Sequence, residues 1–242
     1  MRHLLFSDIH SNLEALQAVL ESAHKQDIDS TYCLGDFVGY GANPKEVVHT
    51  VTELPRCKAV LGNHDAAVID LSERVFFNPV ARAGIIYSQQ NLDEQSESYL
   101  KDLPLALDAK DFFVVHASPA DPESWIYVLE PLEAADAFHV MKHAVAFIGH
   151  THFPAVHTDT GAVAPFRPGE RIKVTPESKL IVNVGSVGQP RDGDCRAAYV
   201  IYDDESKTIE IFRVDYDIDK AARKILDAGL PPMLADRIRR GY

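Results

Sequence analysis

Eight apolar runs of strand length punctuate the chain: Leu4–Phe6, Tyr32–Leu34, Ala59–Leu61, Phe112–Val115, Val145–Ile148, Leu180–Val184, Ala198–Tyr202 and Ile209–Val214. The segments between several of them carry helical periodicity instead. In "SNLEALQAVLESAHK" the apolar Leu13, Leu16, Val19 and Leu20 share one face, and Ser11 with Glu14 reads as a capping box. "NPKEVVHTVTEL" places Asn43 as N-cap and Pro44 at the first helical position. Longer helical patterns run from Pro79 to Leu92 and from Pro131 to Lys142. Strand alternating with helix argues for an α/β fold, and the strand-rich second half favours two sheets, partly antiparallel, over one parallel sheet. No repeat or linker divides residues 1–242, so a single domain is expected, and the turn-rich "APFRPGE", Ala164–Glu170, reads as a long surface loop.

Charge and cysteine usage narrow the functional classes. A formal net charge of −12 repels nucleic acid and anionic membrane, so neither is an expected partner. The first apolar run stops at Asp8, too early for a signal peptide, and no run approaches the ~20 residues of a membrane span. Cys33, Cys57 and Cys195 are odd in number and show no CxxC spacing, which predicts reduced core residues and a cytoplasmic setting.

The polar residues that carry chemistry lie just past the apolar runs. Asp8 and His10 follow the first, Asp36 the second, Asn63 and His64 the third, His116 the fourth, and His150 and His152 the fifth. Carboxyl ends of strands are where sites assemble in α/β sheets, so one shared site is the economical reading. Two aspartates, four histidines and an asparagine give mixed oxygen and nitrogen donors without thiolate, a set suited to Mn, Fe or Zn. Seven donors exceed one tetrahedral ion and suit two ions ~3.5–4 Å apart sharing a carboxylate, the arrangement that clamps an in-line phosphoryl displacement. Gly35, Gly62 and Gly149 immediately precede donor segments, where a sharp turn aims the following side chain.

At these residues the chain resembles the calcineurin-like metallophosphoesterases. The resemblance rests on "DIH" at Asp8–His10, "GDFVGYG" at Gly35–Gly41, "GNHD" at Gly62–Asp65, "VVH" at Val114–His116 and "GHTH" at Gly149–His152. "NVGSVGQPRDG" at Asn183–Gly193 is similar to the segment that follows GHTH in compact prokaryotic phosphodiesterase-type members. The resemblance implies a four-layer α/β/β/α sandwich of two mixed sheets. It also implies a first metal on Asp8, His10 and His152, a second on Asn63, His116 and His150, and Asp36 bridging them. Mn, Fe, Zn or Ni would serve, with Mn favoured, and a metal-bridging hydroxide is the implied nucleophile. His64 is expected over the substrate, protonating the leaving oxygen or steadying the phosphoryl group.

One departure from the resemblance bears on substrate. The protein-phosphatase branch carries an Asp-Arg pair where this chain has Gly39 and Tyr40, so a bidentate clamp for a phosphate dianion is missing. That favours a phosphodiester over a phosphomonoester, with a small-molecule or nucleotide ester as the expected substrate. A monoesterase, or a nucleotide or dinucleoside polyphosphate hydrolase, is the alternative, and a non-catalytic protein-binding scaffold is a third reading. Asn63 and Arg191 are the expected substrate contacts, Arg191 being balanced between phosphate contact and surface ion pair; Tyr40 reads as wall. Asp65 receives no chemistry, and His3, His24, His49, His139, His143 and His157 are read as ordinary structural side chains. The amphipathic tail, with Leu234 and Ile238 at helical spacing, is expected to pack on the domain.

Overall fold

The computed structural model describes residues 1–242, the side chain of Leu71 excepted. The first half contains β1 (Arg2–Phe6), α1 (Leu13–His24), β2 (Ser30–Cys33), α2 (Pro44–Thr52), β3 (Cys57–Ala59), α3 (Asn63–Ile69), α4 (Pro79–Asn91) and α5 (Glu94–Lys101). The middle adds β4 (Ala106–Asp108), β5 (Phe113–Val115), α6 (Pro131–Val140), β6 (Val145–Ile148), β7 (Ala155–Thr158), β8 (Val163–Pro165), β9 (Arg171–Lys173) and β10 (Leu180–Asn183). The chain ends with β11 (Ala197–Asp203), β12 (Thr208–Val214), α7 (Ile218–Asp227) and α8 (Pro232–Arg240).

Among the described residues the strands form two six-stranded mixed sheets, ordered β3-β2-β1-β11-β12-β9 and β4-β5-β6-β10-β7-β8. Each has a parallel core, β3-β2-β1 in one and β5-β6-β10 in the other, extended by antiparallel strands. The period-2 alternation of side chains explains the layering. Leu4 and Phe6 face a helical layer containing Leu16, Val19 and Val47, whereas Leu5 between them faces the other sheet, beside Phe147 and Val182. On the second sheet Val145 and Phe147 point inward, while Ala146 and Ile148 meet Ala134, Ala137 and Phe138 of α6. The order helix, sheet, sheet, helix is the expected four-layer sandwich. Phe112 joins the sheets, its ring centroid 5.6 Å from both Phe147 and Tyr202 in edge-on contacts.

Local corrections follow from tertiary pairing. Helix α1 is capped by Asn12, whose Oδ1 accepts the Ala15 N–H at 3.1 Å, so Ser11 and Glu14 form no capping box. Glu14 is turned instead toward α7, pairing with Lys224 Nζ at 2.6 Å and Lys220 Nζ at 3.2 Å. Asn43 precedes α2 but makes no side-chain cap; its Oδ1 accepts from Lys224 at 2.8 Å. The "APFRPGE" segment is not purely loop, because Ala164 and Pro165 end β8. Cys33 is buried as expected, but Cys57 and Cys195 are only half-buried. The tail packs as expected, with Leu234 and Ile238 buried against α7 and α4. No helix among the described residues is long and apolar enough to cross a membrane.

Candidate metal centre

The loops that leave β1 and β2 are zipped together by backbone bonds, Asp8 N–H to Gly35 O at 3.1 Å, His10 N–H to Asp36 O at 3.0 Å and Ser11 N–H to Phe37 O at 2.8 Å. The loop after β6 joins them through His150, whose N–H donates to Asp8 Oδ2 at 3.0 Å. Asn183, at the end of β10, secures that loop by donating to Gly149 O at 2.6 Å and Thr151 Oγ1 at 2.9 Å. Glycine is required at Gly149, where a Cβ would lie 2.6 Å from Asp8 Oδ2, and at Gly62, where it would strike the Asp36 carboxylate. Five of the seven donors sit on left-handed backbone: φ is +55° at Asp8, +49° at His10, +54° at Asp36, +68° at His150 and +63° at His152. Such conformations cost roughly 1–3 kcal/mol each and persist where surrounding structure over-determines them, typically at functional sites.

Six of the seven sequence-predicted donors meet in one buried cluster, in the groupings Asp8–His10–His152 and Asp36–His116–His150, with His64 grouped beside His10 and Asp36 and half-buried Asn63 at the margin. Asp36 Oδ2 lies between the groups, 3.5 Å from His10 Nε2 and 3.4 Å from His116 Nε2. Asn63 Oδ1 is 3.2 Å from His116 Nε2.

The histidine hydrogen bonds show what the cluster is prepared to hold. His10 Nδ1 lies 2.9 Å from Val38 O, His116 Nδ1 2.7 Å from Leu34 O, His152 Nδ1 2.5 Å from Gln189 O and His150 Nε2 2.9 Å from Trp125 O. A carbonyl only accepts, so each ring donates that N–H and, when neutral, presents a bare lone pair from its other nitrogen. Those nitrogens converge: His10 Nε2 and His152 Nε2 are 3.1 Å apart, and His116 Nε2 and His150 Nδ1 are 3.2 Å apart. Opposed lone pairs repel unless a cation lies between them, and carbonyl-anchored imidazoles are the usual outer support of metal-binding histidines. Asp8 Oδ1, buried without a hydrogen-bond partner, faces the same space 3.2 Å from His152 Nε2. The residues therefore fit divalent cations.

The electrostatics agree. Burial holds His10 well below its ordinary pKa, His150 at about 3 and His152 lowered, so these rings are neutral as ligands must be. Burial also lowers His116, but the Asp36 carboxylate overrides it and raises the ring to about 9, which marks this point as one that attracts positive charge. Burial opposes ionisation of Asp36, yet His116 and the other rings hold it well below the carboxylate range.

Three further residues frame the cluster. His64 is buried, pushed down to about 4 by burial, with ring centroids of Tyr40, His10 and Phe77 at 4.5, 4.7 and 4.9 Å. Its Nδ1 has no hydrogen-bond partner, and Gly39, which stands where protein phosphatases carry Asp, lies against it. Arg191 forms no ion pair among the described residues; its Nη2 donates to Gln189 Oε1 at 3.1 Å and Tyr40 OH at 3.3 Å, and its charge depresses the proton affinity of His152 and His64. The surface ion-pair reading is thereby removed. Sequence reasoning missed Asp65, whose oxygens accept the N–H groups of Asp36, Phe37, Val38 and Gly62 at 2.8–3.2 Å. Its signal was a carboxylate three residues after Gly62 at a helix start.

Comparison with known proteins agrees with this geometry. The sequence model of the calcineurin-like phosphoesterase superfamily domain matches residues 1–207. An uncharacterized protein of Methanocaldococcus jannaschii is 39% identical over 238 residues, covering 97% of this chain and 96% of that one. The crystal structure of a metallophosphoesterase from Sphaerobacter thermophilus superposes with a TM-score of 0.91 at 38% identity, covering 100% of this chain and 99% of that one. A hypothetical protein from Pyrococcus horikoshii OT3 shares the fold, with a TM-score of 0.81 at 20% identity over 100% of this chain and 98% of its own. With its family model spanning residues 1–207 of the 242 and its histidine and aspartate donors gathered as divalent-metal ligands would be, the chain belongs to the calcineurin-like phosphoesterase superfamily.

Proposed function

We propose that residues 1–242 form one domain that hydrolyses a phosphodiester at a two-metal centre. The observation that carries this reading is Asp36 Oδ2, within 3.5 Å of His10 Nε2 and 3.4 Å of His116 Nε2, between two groups of converging lone pairs. Asp8, His10 and His152 would hold one ion, Asn63, His116 and His150 the other, and Asp36 both; Mn is the favoured metal. The pair of ions, when bound, supplies an activated water and neutralises charge on the phosphoryl group.

The chain's own residues do the rest. His64, neutral and fixed among Tyr40, His10 and Phe77, offers a ring N–H toward the leaving oxygen or a phosphoryl oxygen. Asn63, beside His116 at the donor cluster, orients the ester, and Arg191 supplies a single guanidinium nearby, held by Tyr40 and Gln189. With glycine and tyrosine at positions 39 and 40, no second guanidinium comes from this loop, so a diester monoanion is matched better than a monoester dianion. The three free cysteines are in keeping with a reducing, cytoplasmic setting.

The test compares turnover of a bis-aryl phosphate with that of the matching mono-aryl phosphate, using metal-stripped protein reloaded with Mn²⁺. Faster diester cleavage is expected. Faster monoester cleavage would replace this reading with a phosphatase that relies on Arg191, and absence of both would leave the protein-binding scaffold.

A further inference from the structure

Beside the donor cluster opens a cleft of about 490 Å³, whose floor includes Asn63, His64 and His150. That volume is in the range of small-molecule sites. Its walls are aromatic and come from two segments distant in sequence. Phe76 and Phe77 close the 3₁₀ turn before α4, and Trp125 and Tyr127 follow the short turn at Pro122–Ser124. Phe76 is 80% exposed and Tyr127 46% exposed, so large apolar faces stand open beside a polar reaction centre. The second wall is tied to the centre itself: the Tyr127 ring stacks on His150 with centroids 3.9 Å apart, and the Trp125 carbonyl accepts from His150 Nε2 at 2.9 Å. Two carboxylates, Glu73 and Glu123, line the same cleft.

We propose that this cleft is a nucleobase subsite, so that the ester taken at the donor cluster is a nucleotide whose base carries an exocyclic amine. The proposal rests on the phosphodiesterase reading for its chemistry and adds the identity of the group attached to phosphorus. Aromatic faces stack on any base, because every base has a π-face. Carboxylates accept hydrogen bonds but cannot donate them, so Glu73 and Glu123 select an edge that presents N–H₂. They also repel further phosphates, which directs the site toward a single phosphoryl group. A simple aliphatic ester would offer the aromatic walls no planar partner to stack on.

Trp125 is the only tryptophan in the chain, so selectively excited fluorescence reports on this cleft without any turnover. Adenosine monophosphate is expected to change that fluorescence saturably, whereas ribose 5-phosphate, which keeps sugar and phosphate but lacks the base, is expected to leave it unchanged. Phe76→Ala, at an exposed position that folding does not depend on, should weaken adenosine monophosphate roughly 5- to 150-fold. Glu73→Gln and Glu123→Gln together should narrow its advantage over uridine monophosphate. An equal response to ribose 5-phosphate, or unchanged binding in Phe76→Ala, would overturn the subsite.

Turnover separates this inference from the reading beneath it. The p-nitrophenyl ester of adenosine monophosphate is expected to be cleaved with higher kcat/KM than methyl p-nitrophenyl phosphate, and Phe76→Ala should lower only the former. Fluorescence binding with neither ester cleaved would uphold the subsite and defeat the phosphodiesterase reading. Equal cleavage of both esters with no base-dependent fluorescence would do the reverse.

Discussion

The carboxylate of Asp65 holds the backbone of Asp36: its Oδ2 accepts the Asp36 N–H at 2.8 Å and the Gly62 N–H at 3.1 Å. Its Oδ1 accepts Phe37 and Val38 N–H groups at 2.9 and 3.2 Å, while Asp36 Oδ1 accepts the His64 N–H at 2.9 Å in return. The two loops that carry the shared carboxylate and His64 are thus locked to each other. Asp65→Asn puts an NH₂ among four N–H donors. It should cost about 2–3 kcal/mol of stability and weaken metal retention, measured by thermal melting and elemental analysis. A wild-type melting temperature would remove the positioning role.

His64→Ala should keep both metals and lose turnover on the order of 10²–10⁴-fold, because the seven other donors supply both groups even though His64 brings a ring nitrogen within 4.8 Å of His10 and Asp36 donor atoms. Steady-state kinetics beside metal content checks both halves, and loss of the metals together with activity would make His64 a ligand instead.

Arg191→Ala should raise KM for the diester with a smaller change in kcat, because the guanidinium lies at the edge of the cluster with no carboxylate partner. An unaltered KM would leave Arg191 as support for Tyr40 alone.

Stability should fall in acid partly through Glu14. Burial favours its neutral form, but bonds from Lys224 and Lys220 outweigh that and lower its pKa below the ordinary 4.5. A depressed carboxylate contributes its full stability above the unfolded value and loses it as pH falls through the folded one. Lys224→Met should therefore cost about 1–3 kcal/mol near neutrality, with the difference from wild type shrinking as pH falls below the ordinary 4.5 in denaturant titrations.

The donor set was legible because its residues follow apolar runs, where only parallel strand ends could bring Asp8, Asp36, Asn63, His116 and His150 together. Asp65 was harder to read because its work is done on backbone N–H groups: a carboxylate three residues after Gly62 signals a helix start but not the Asp36–Val38 loop that it also holds. Strands β4, β7, β8 and β9 escaped notice for another reason: each is only three or four residues long and is held by a neighbour, as Ile172 is by Ile209. The aromatic cleft joins Phe76 to Trp125 across 48 intervening positions, a proximity that periodicity cannot express.

Elemental analysis of Mn²⁺-reloaded protein, wild type beside Asp36→Asn, tests the central claim most directly. Two ions per chain are expected in wild type, with both sites weakened together in the variant, because one carboxylate oxygen lies between the two donor groups. A single ion in wild type, or two tightly held ions in Asp36→Asn, would contradict a shared two-metal centre.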